Sequence, residues 1–405
     1  MSNQLPVNIV KVSKKDGDRW EAWIVSDKVA KLRGDRAERR TVHADSEEDA
    51  KAKAFELFAP RYPFMLLSGE YSAVEVAVFC IRAMAENKKW KRPKTADEYV
   101  SLIRNHSKKL PDKPVDAITK KELQLLFVDV CNSGLSVGTA NKLKSAWSCV
   151  FDYLIDQGLM QANPARGNRM PKQNRKTKRM FTESEYNAFC DAIDAALSSQ
   201  SCEKGSIVRR NLLFGAYIAL FTGMRVGEVC GLQRGDIHFV ESTIRVERSL
   251  TVDGGLHAVS PKTEQSNRTI GMSKELAEAM RAHLDWQATY LTKSRQSART
   301  TPVCCKPDGN PFSPNVMSKA FKRFCTDQVG IELKPNESFH ILRHTHASIL
   351  IASGLDIKTI SARLGHASVA ITLDVYGHLM TGSESVAANV FNEQHDKMRR
   401  SGGFR

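Results

Sequence analysis

Long apolar runs are missing from this chain. The longest, residues 211–222, falls short of the roughly 20 residues that a membrane-spanning helix requires, so no bilayer span is expected. The opening Met1-Ser-Asn-Gln-Leu-Pro6 has no charged start leading into an apolar segment, which excludes a secretory signal in these residues. No C-x-x-C pair occurs among the 9 cysteines, and their number is odd. A disulfide framework is therefore not expected. The cysteines read as reduced, mostly buried thiols of a cytoplasmic protein. Internal repeats and low-complexity tracts are lacking too. Acidic residues disappear altogether between 157 and 182.

Positive charge fills that gap. Arg166, Arg169, Lys172, Arg175, Lys176, Lys178 and Arg179 stand there, with Pro164 and Pro171. Over the whole chain 60 Lys and Arg face 45 Asp and Glu, a formal net charge of +15. That balance suits an anionic polymer better than a small acidic metabolite. A linker of one sign repels itself unless a polyanion neutralises it, so 166–180 is expected to be an extended basic linker that contacts DNA. If about five of its basic residues touch phosphates, they contribute a log–log salt slope of roughly −4.5. A second basic cluster, Lys88-Lys89-Trp90-Lys91-Arg92-Pro93-Lys94, reads either as phosphate contact or as a solvated helix end.

Before the linker, residues 7–25 alternate apolar and polar around Asp16-Gly17-Asp18, a hairpin signal. A third strand at 39–43 and an alanine-rich helix, capped at Asp45-Ser46 and running to about Phe58, complete a small unit at 1–60. Residues 73–165 read as short amphipathic helices with polar joints at 88–94, 108–113 and 132–139. Within 141–154, Leu143, Ala146, Trp147, Val150, Phe151 and Leu154 recur at i, i+3, i+4 spacing. After the linker, 181–382 reads as largely helical, with one β-insert made of 243–248, a turn at 253–255, then 257–262 and 268–271. The tail, 383–405, carries Val386, Val390 and Phe391 in helical rhythm and could be a last helix that docks on a neighbouring subunit. The expected fold class is multidomain and mainly α. It comprises a small three-stranded sheet plus helix, a helical domain, and a mostly helical domain with a small β-insert.

Two arginines, two histidines and a late tyrosine in that last domain are what an enzyme needs to attack a phosphodiester with a phenol. A phenol of pKa about 10 is a weak nucleophile at neutral pH. The phosphate's charge must be clamped and protons handled for it. Arg225, in Thr222-Gly-Met-Arg225-Val-Gly-Glu228, sits at a junction of helices where its paired donors can point into a cleft. A tie from Arg225 to Glu228 is the plainer alternative. His340 and Arg343 are three apart and share a helix face. Arg343 could complete a clamp on the non-bridging oxygens, and His340 could take or give the nucleophile's proton. Leu364-Gly365-His366 reads as the opening of a short helix, from which His366 could donate to a non-bridging oxygen. Tyr376 precedes Gly377, a glycine that permits a turn and can leave the phenol free; a packed core tyrosine with a bonded hydroxyl is the plainer alternative. Lys262, at the edge of the β-insert, could reach and protonate the leaving 5′ oxygen.

Taken together, these segments resemble the tyrosine recombinase (phage integrase) family. The matching stretches are Thr222-Gly-Met-Arg225-Val-Gly-Glu228-Val-Cys-Gly-Leu, Lys262 ahead of Asn267-Arg-Thr-Ile, His340-Ile-Leu-Arg343-His-Thr-His-Ala-Ser, Leu364-Gly-His366-Ala-Ser and Val375-Tyr376-Gly-His. They span most of 180–380. The resemblance implies Arg225, Lys262, His340, Arg343 and His366 as activating residues, Tyr376 as nucleophile, and Glu228 as the acidic residue that helps hold the site. Residues 73–165 look like the family's core-site DNA-binding domain, and 1–58 look like its arm-site DNA-binding domain. The same resemblance implies a site-specific recombinase of a phage or mobile element. It would cleave and rejoin double-stranded DNA through a 3′-phosphotyrosyl bond, as a homotetramer, with no cofactor, metal or membrane. A host DNA-bending protein and an excision factor are further candidate partners.

Three rivals remain. A type IB topoisomerase uses similar chemistry with one subunit. A DNA-binding regulator that has lost catalysis has no reason to keep six such residues. A metal hydrolase could use His340, His344 and His346, but Ile341 breaks the H-E-x-x-H arrangement.

Overall fold

Helices dominate, and many start where a short polar side chain can take an orphan backbone N–H. The structure, a computed structural model, describes residues 7–14, 17–24, 39–44, 46, 49–50, 53–54, 72–87, 94–171, 178–198, 201–252, 255–259, 267–291, 299–334, 337–377 and 383–400. The chain divides into two units, Met1–Arg175 and Lys176–Arg405.

In the first unit, β1 (Val7–Lys14), β2 (Gly17–Ile24) and β3 (Arg39–Val42) form an antiparallel sheet in that order. Trp20 pairs with Lys11 on one side and Val42 on the other. The hairpin expected around Gly17 is present, with Lys15 and Asp16 of its turn outside the described residues. Of the helix expected to reach Phe58, the described part is helical at 49–50 and 53–54, and the Asp49 N–H donates to Ser46 Oγ at 3.1 Å.

Helices α1 (Ala73–Glu86), α2 (Lys94–His106), α3 (Lys120–Asn132) and α4 (Val137–Asp156) follow. Ser72 with Glu75, and Thr119 with Glu122, form reciprocal caps that each satisfy two backbone donors. The periodic face of α4 is fully buried, from Leu143 to Leu154. Trp147 stacks on Phe151 at 5.6 Å between ring centres, and its indole N–H donates to Ser107 Oγ at 3.0 Å. The basic stretch is not extended from residue 166 onwards. Ala165 and Asn168 are buried, the Asn163 amide donates to Asp152 at 2.7 Å, and Gln124 bonds both ways with the Arg169 backbone at 2.7 and 2.8 Å. These contacts fasten the chain to α3 and α4 as far as Arg169.

In the second unit, α5 (Glu183–Ser198) and α6 (Lys204–Thr222) lead to the short α7 (Val226–Gly231). Helix α6 is apolar nearly all round from Leu212 to Leu220, and it is buried accordingly. The region expected to be one β-insert is two sheets. Strands β4 (Ile237–His238), β5 (Thr243–Val246) and β8 (Arg268–Gly271) pair in the order β4-β5-β8, while β6 (Ser249–Val252) and β7 (Leu256–Val259) form a separate hairpin. The break falls at Glu247-Arg248. Val246 is the last residue paired with β8, and Arg248 is drawn aside into an ion pair with Asp236.

Helices α8 (Lys274–Tyr290) and α9 (Pro314–Phe324) complete the core around Phe189, Phe214 and Phe321. Helices α10 (His340–Ala352), α11 (Ile357–Leu364) and α12 (Val369–Tyr376) close on a smaller apolar cluster of Ala347, Ile351, Ile360, Leu364 and Tyr376. The last helix, α13 (Ser383–Arg400), exposes Phe391 and Met398. Among the described residues no disulfide is formed, and of the cysteines Cys202 is exposed. Among the described residues no helix is long and apolar enough to cross a membrane.

Candidate active site

Helix α6 stops at Gly223, whose φ of +69° is left-handed. A Cβ there would lie 2.7 Å from Leu364 Cδ2 and 2.9 Å from His346 Cδ2, so packing as well as backbone demands glycine. Two residues on, Arg225 opens α7. Its Nη1 donates to Glu228 Oε1 at 2.8 Å and its backbone N–H to Oε2 at 2.9 Å. Arg268, from β8, donates to the same carboxylate at 2.9 and 3.3 Å. Burial alone would raise the Glu228 pKa. The hydrogen bond and charge of Arg268, with those of Arg225, outweigh it and pull the group down to about 2.

Arg343 lies on the first turn of α10 and is 2% exposed. Its Nη1 donates to the Gly223 carbonyl at 2.8 Å, while its Nη2 has no partner among the described residues. Arg225 Nη2 donates to the Gly365 carbonyl at 3.2 Å, and Gly365, at φ +66°, ends α11. Each arginine is thus held by a carbonyl at the C-terminal end of a helix that a left-handed glycine terminates, where the backbone carries partial negative charge.

Arg225 and Arg268 share the Glu228 carboxylate, and Arg343 has no ion pair among the described residues, so the site is electropositive. Burial, then Arg225 and Arg268, push Arg343 down to about 9. Burial, then Arg343 and Arg225, push His340 down to about 4, although its ring remains open to solvent. Burial, then Arg343, Arg225 and Arg268, push His366 down to about 3. Burial is the largest cause of each shift, and the arginine charges add to it; a bound anion would offset that added part.

His366 does not open a helix. Gly365 ends α11, Ser368 caps α12, and His366 sits in the tight joint between them, its Nδ1 hydrogen-bonded to Thr372 Oγ1 at 2.7 Å. Nor is the Tyr376 phenol free. It is 3% exposed because it completes the apolar cluster under α10 and α11, and its hydroxyl lies 2.7 Å from His344 Nδ1. Gly377 has ordinary right-handed helical angles, so no special turn releases the ring. Burial raises the Tyr376 pKa to about 12 against the opposing charge of Arg343. His346 is engaged elsewhere, by the Leu220 carbonyl at 2.8 Å and Arg363 Nε at 3.0 Å. Among the described residues no three His, Cys, Asp or Glu side chains converge as metal ligands.

The structure therefore gathers Arg225, Glu228, His340, Arg343 and His366, and links Tyr376 to α10 through His344. Lys262 lies outside the described residues, as do Lys88, Lys89, Lys91, Arg92, Lys172, Arg175 and Lys176. Arg166 pairs with Asp152 at 2.9 Å, and Arg179 is held by Glu185 and Glu337. Lys178 is near enough for its charge to lower both His340 and His344.

A sequence model of the phage integrase family matches residues 179–382, just over half of the chain. The chain belongs to that family. The ICEBs1 integrase of Bacillus subtilis (strain 168) is 27% identical over 282 residues, covering 69% of this chain and 72% of that protein. Tyrosine recombinase XerC of Pseudomonas entomophila (strain L48) is 28% identical over 291 residues, covering 71% and 84%. Among solved structures, the Tn1549 transposon integrase in complex with transposon right end DNA superposes with a TM-score of 0.61 at 19% identity, over 82% of this chain and 100% of that one. A lambda integrase tetramer bound to a Holliday junction gives 0.52 at 20% identity, over 90% and 93%. At those identities the structural likeness is one of fold. This phage integrase relative is a tyrosine-type site-specific DNA recombinase, and the comparisons favour that reading over a type IB topoisomerase.

Three parts of the recombinase site are not evident from sequence. Arg268 falls within a matching stretch, yet nothing local marks it as a second partner of Glu228. The Gly223 and Gly365 carbonyls carry no side-chain signal beyond the glycines themselves. His344 stands out in sequence as a possible metal ligand and not as the tyrosine's partner.

Proposed function

We propose that Tyr376 attacks the scissile phosphate of a duplex attachment site and forms a 3′-phosphotyrosyl bond. That bond conserves the phosphodiester's energy, so strands are exchanged and resealed without ATP. Arg225 and Arg343 clamp the non-bridging oxygens as phosphorus becomes five-coordinate, His366 donates to one of them, and Lys262 protonates the leaving 5′ oxygen. Glu228 holds the arginines in place. The observation that carries the reading is the charge imbalance. A buried guanidinium is costly unless paired, yet Arg343 has an open nitrogen and the carboxylate nearby is already shared by two other arginines. A phosphate is the anion that supplies what is missing.

The substrate is double-stranded DNA of a phage or mobile element, integrated and excised. The DNA-bound transposon integrase and lambda integrase structures support this, and the lambda tetramer supports four subunits on two sites. In this reading residues 73–165 bind the core site, 1–60 bind arm sites, and the basic stretch follows the backbone. Helix α13, with Phe391 exposed, docks on a neighbouring subunit. The arginines take the role magnesium has elsewhere, so cleavage proceeds in EDTA. The test uses nicked duplex, selected from a random-sequence library for binding by the full chain, in EDTA. The parent should give a covalent adduct on a denaturing gel and Tyr376→Phe none. An adduct from Tyr376→Phe would move the nucleophile elsewhere.

A further inference from the structure

The Tyr376 hydroxyl is not bonded to His340, the histidine expected to handle its proton. It meets His344 Nδ1 at 2.7 Å, one helical turn further along α10. The His344 and Tyr376 ring centres are 5.7 Å apart, and His344 stands edge-on to His340 at 5.2 Å. A line of three rings therefore runs from the buried phenol to the open His340. Burial, then His340, Lys178 and Arg343, push His344 down to about 3, so its ring is neutral at pH 7. Tyr376, pushed up to about 12, keeps its proton. With a neutral ring and an intact hydroxyl, the phenol donates, Nδ1 accepts, and the imidazole hydrogen sits on Nε2.

We propose that His344 is the base that takes the phenolic proton of Tyr376 as the bond to phosphorus forms; this rests on Tyr376 being the nucleophile. The Nδ1 lone pair captures the proton, and the electrons of the O–H bond become the Oη–P bond. The P–O5′ bond breaks with its electrons on the 5′ oxygen, which Lys262 protonates. On resealing, the 5′ hydroxyl attacks phosphorus, its proton returns to Lys262, and the imidazolium gives its own proton back to Tyr376. At rest the transfer is uphill, because both groups are held far from matching. The charges facing the pair are His340 and Arg343 on α10 and Lys178 ahead of α5. A phosphate clamped by Arg343 offsets the part of the His344 shift that comes from those charges and raises His344, so a clamped phosphate arms the base.

The experiment measures single-turnover adduct formation from pH 6 to 9.5 on the same selected nicked duplex. It compares the parent with His344→Ala, His344→Asn and Tyr376→Phe, with binding followed by fluorescence anisotropy and folding by thermal melting. Asparagine can accept the phenol's hydrogen bond but cannot hold its proton. Both His344 variants should bind DNA as the parent does and cleave about 100-fold more slowly at pH 7. Their rates should climb about tenfold per pH unit, as hydroxide replaces the missing base, while the parent's profile stays flatter. His344→Asn cleaving at the parental rate, with the parental pH profile, would overturn the proposal while leaving Tyr376 as nucleophile. An adduct from Tyr376→Phe would overturn both readings together.

Discussion

Arg343 combines deep burial, one fixed nitrogen and one open one, and only the fork of a guanidinium can do both. Arg343→Lys keeps the charge but gives up the second donor. Cleavage of the nicked duplex should fall by about 10³-fold, the cost of a lost transition-state donor, with affinity for DNA little changed. A variant that cleaves at the parental rate would remove Arg343 from the clamp. At this scale the sequence is informative wherever chemistry is local. Arg225, His340 and Arg343 stand at helix junctions and on helix faces that spacing alone can define. It is uninformative about depth. That Tyr376 is covered, and that His344 rather than His340 meets it, depends on how α10, α11 and α12 close on Leu364 and Ile360, and no periodicity reports that.

At the scale of elements, two helix ends do the positioning. Gly223 ends α6 and holds Arg343, and Gly365 ends α11 and holds Arg225. Gly223→Ala forces an L side chain into the left-handed region, at roughly 1–2 kcal/mol, and drives its Cβ into Leu364 and His346. Urea unfolding should show a loss of about 2 kcal/mol or more, and cleavage should fall with it because the Arg343 anchor shifts. Unchanged stability would mean that the α6 terminus relaxes freely. Helix faces such as that of α4 are legible because burial follows a 3.6-residue rhythm. The two-sheet arrangement is not, because an ion pair between Arg248 and Asp236, and not a turn residue, divides the strands. The place of His366 is hidden for a related reason: Gly365 looks like a start in sequence, although its left-handed backbone makes it an end.

At the scale of the molecule, five histidines share one consequence. His283, His340, His344, His346 and His366 are all pushed well below 6.5, burial being the largest cause for each. Between about pH 4 and 6.5 the unfolded chain binds protons that the folded chain refuses, so stability rises with pH across that window and is lost as pH falls through it. The urea midpoint should drop between pH 7 and pH 5. Bound DNA should soften the drop, since its phosphate favours protonated His340 and His366. A midpoint constant over that range would contradict the desolvation of these histidines, and a drop that DNA leaves unchanged would contradict the electropositive site.

A recombinase passes over a great many ordinary phosphodiesters on the way to its own. With the Tyr376 oxygen covered and its proton retained, those encounters leave no nick behind. Fidelity then begins before any base is read: a stray cut is suppressed by the packing of one ring, and the genome being searched survives the search.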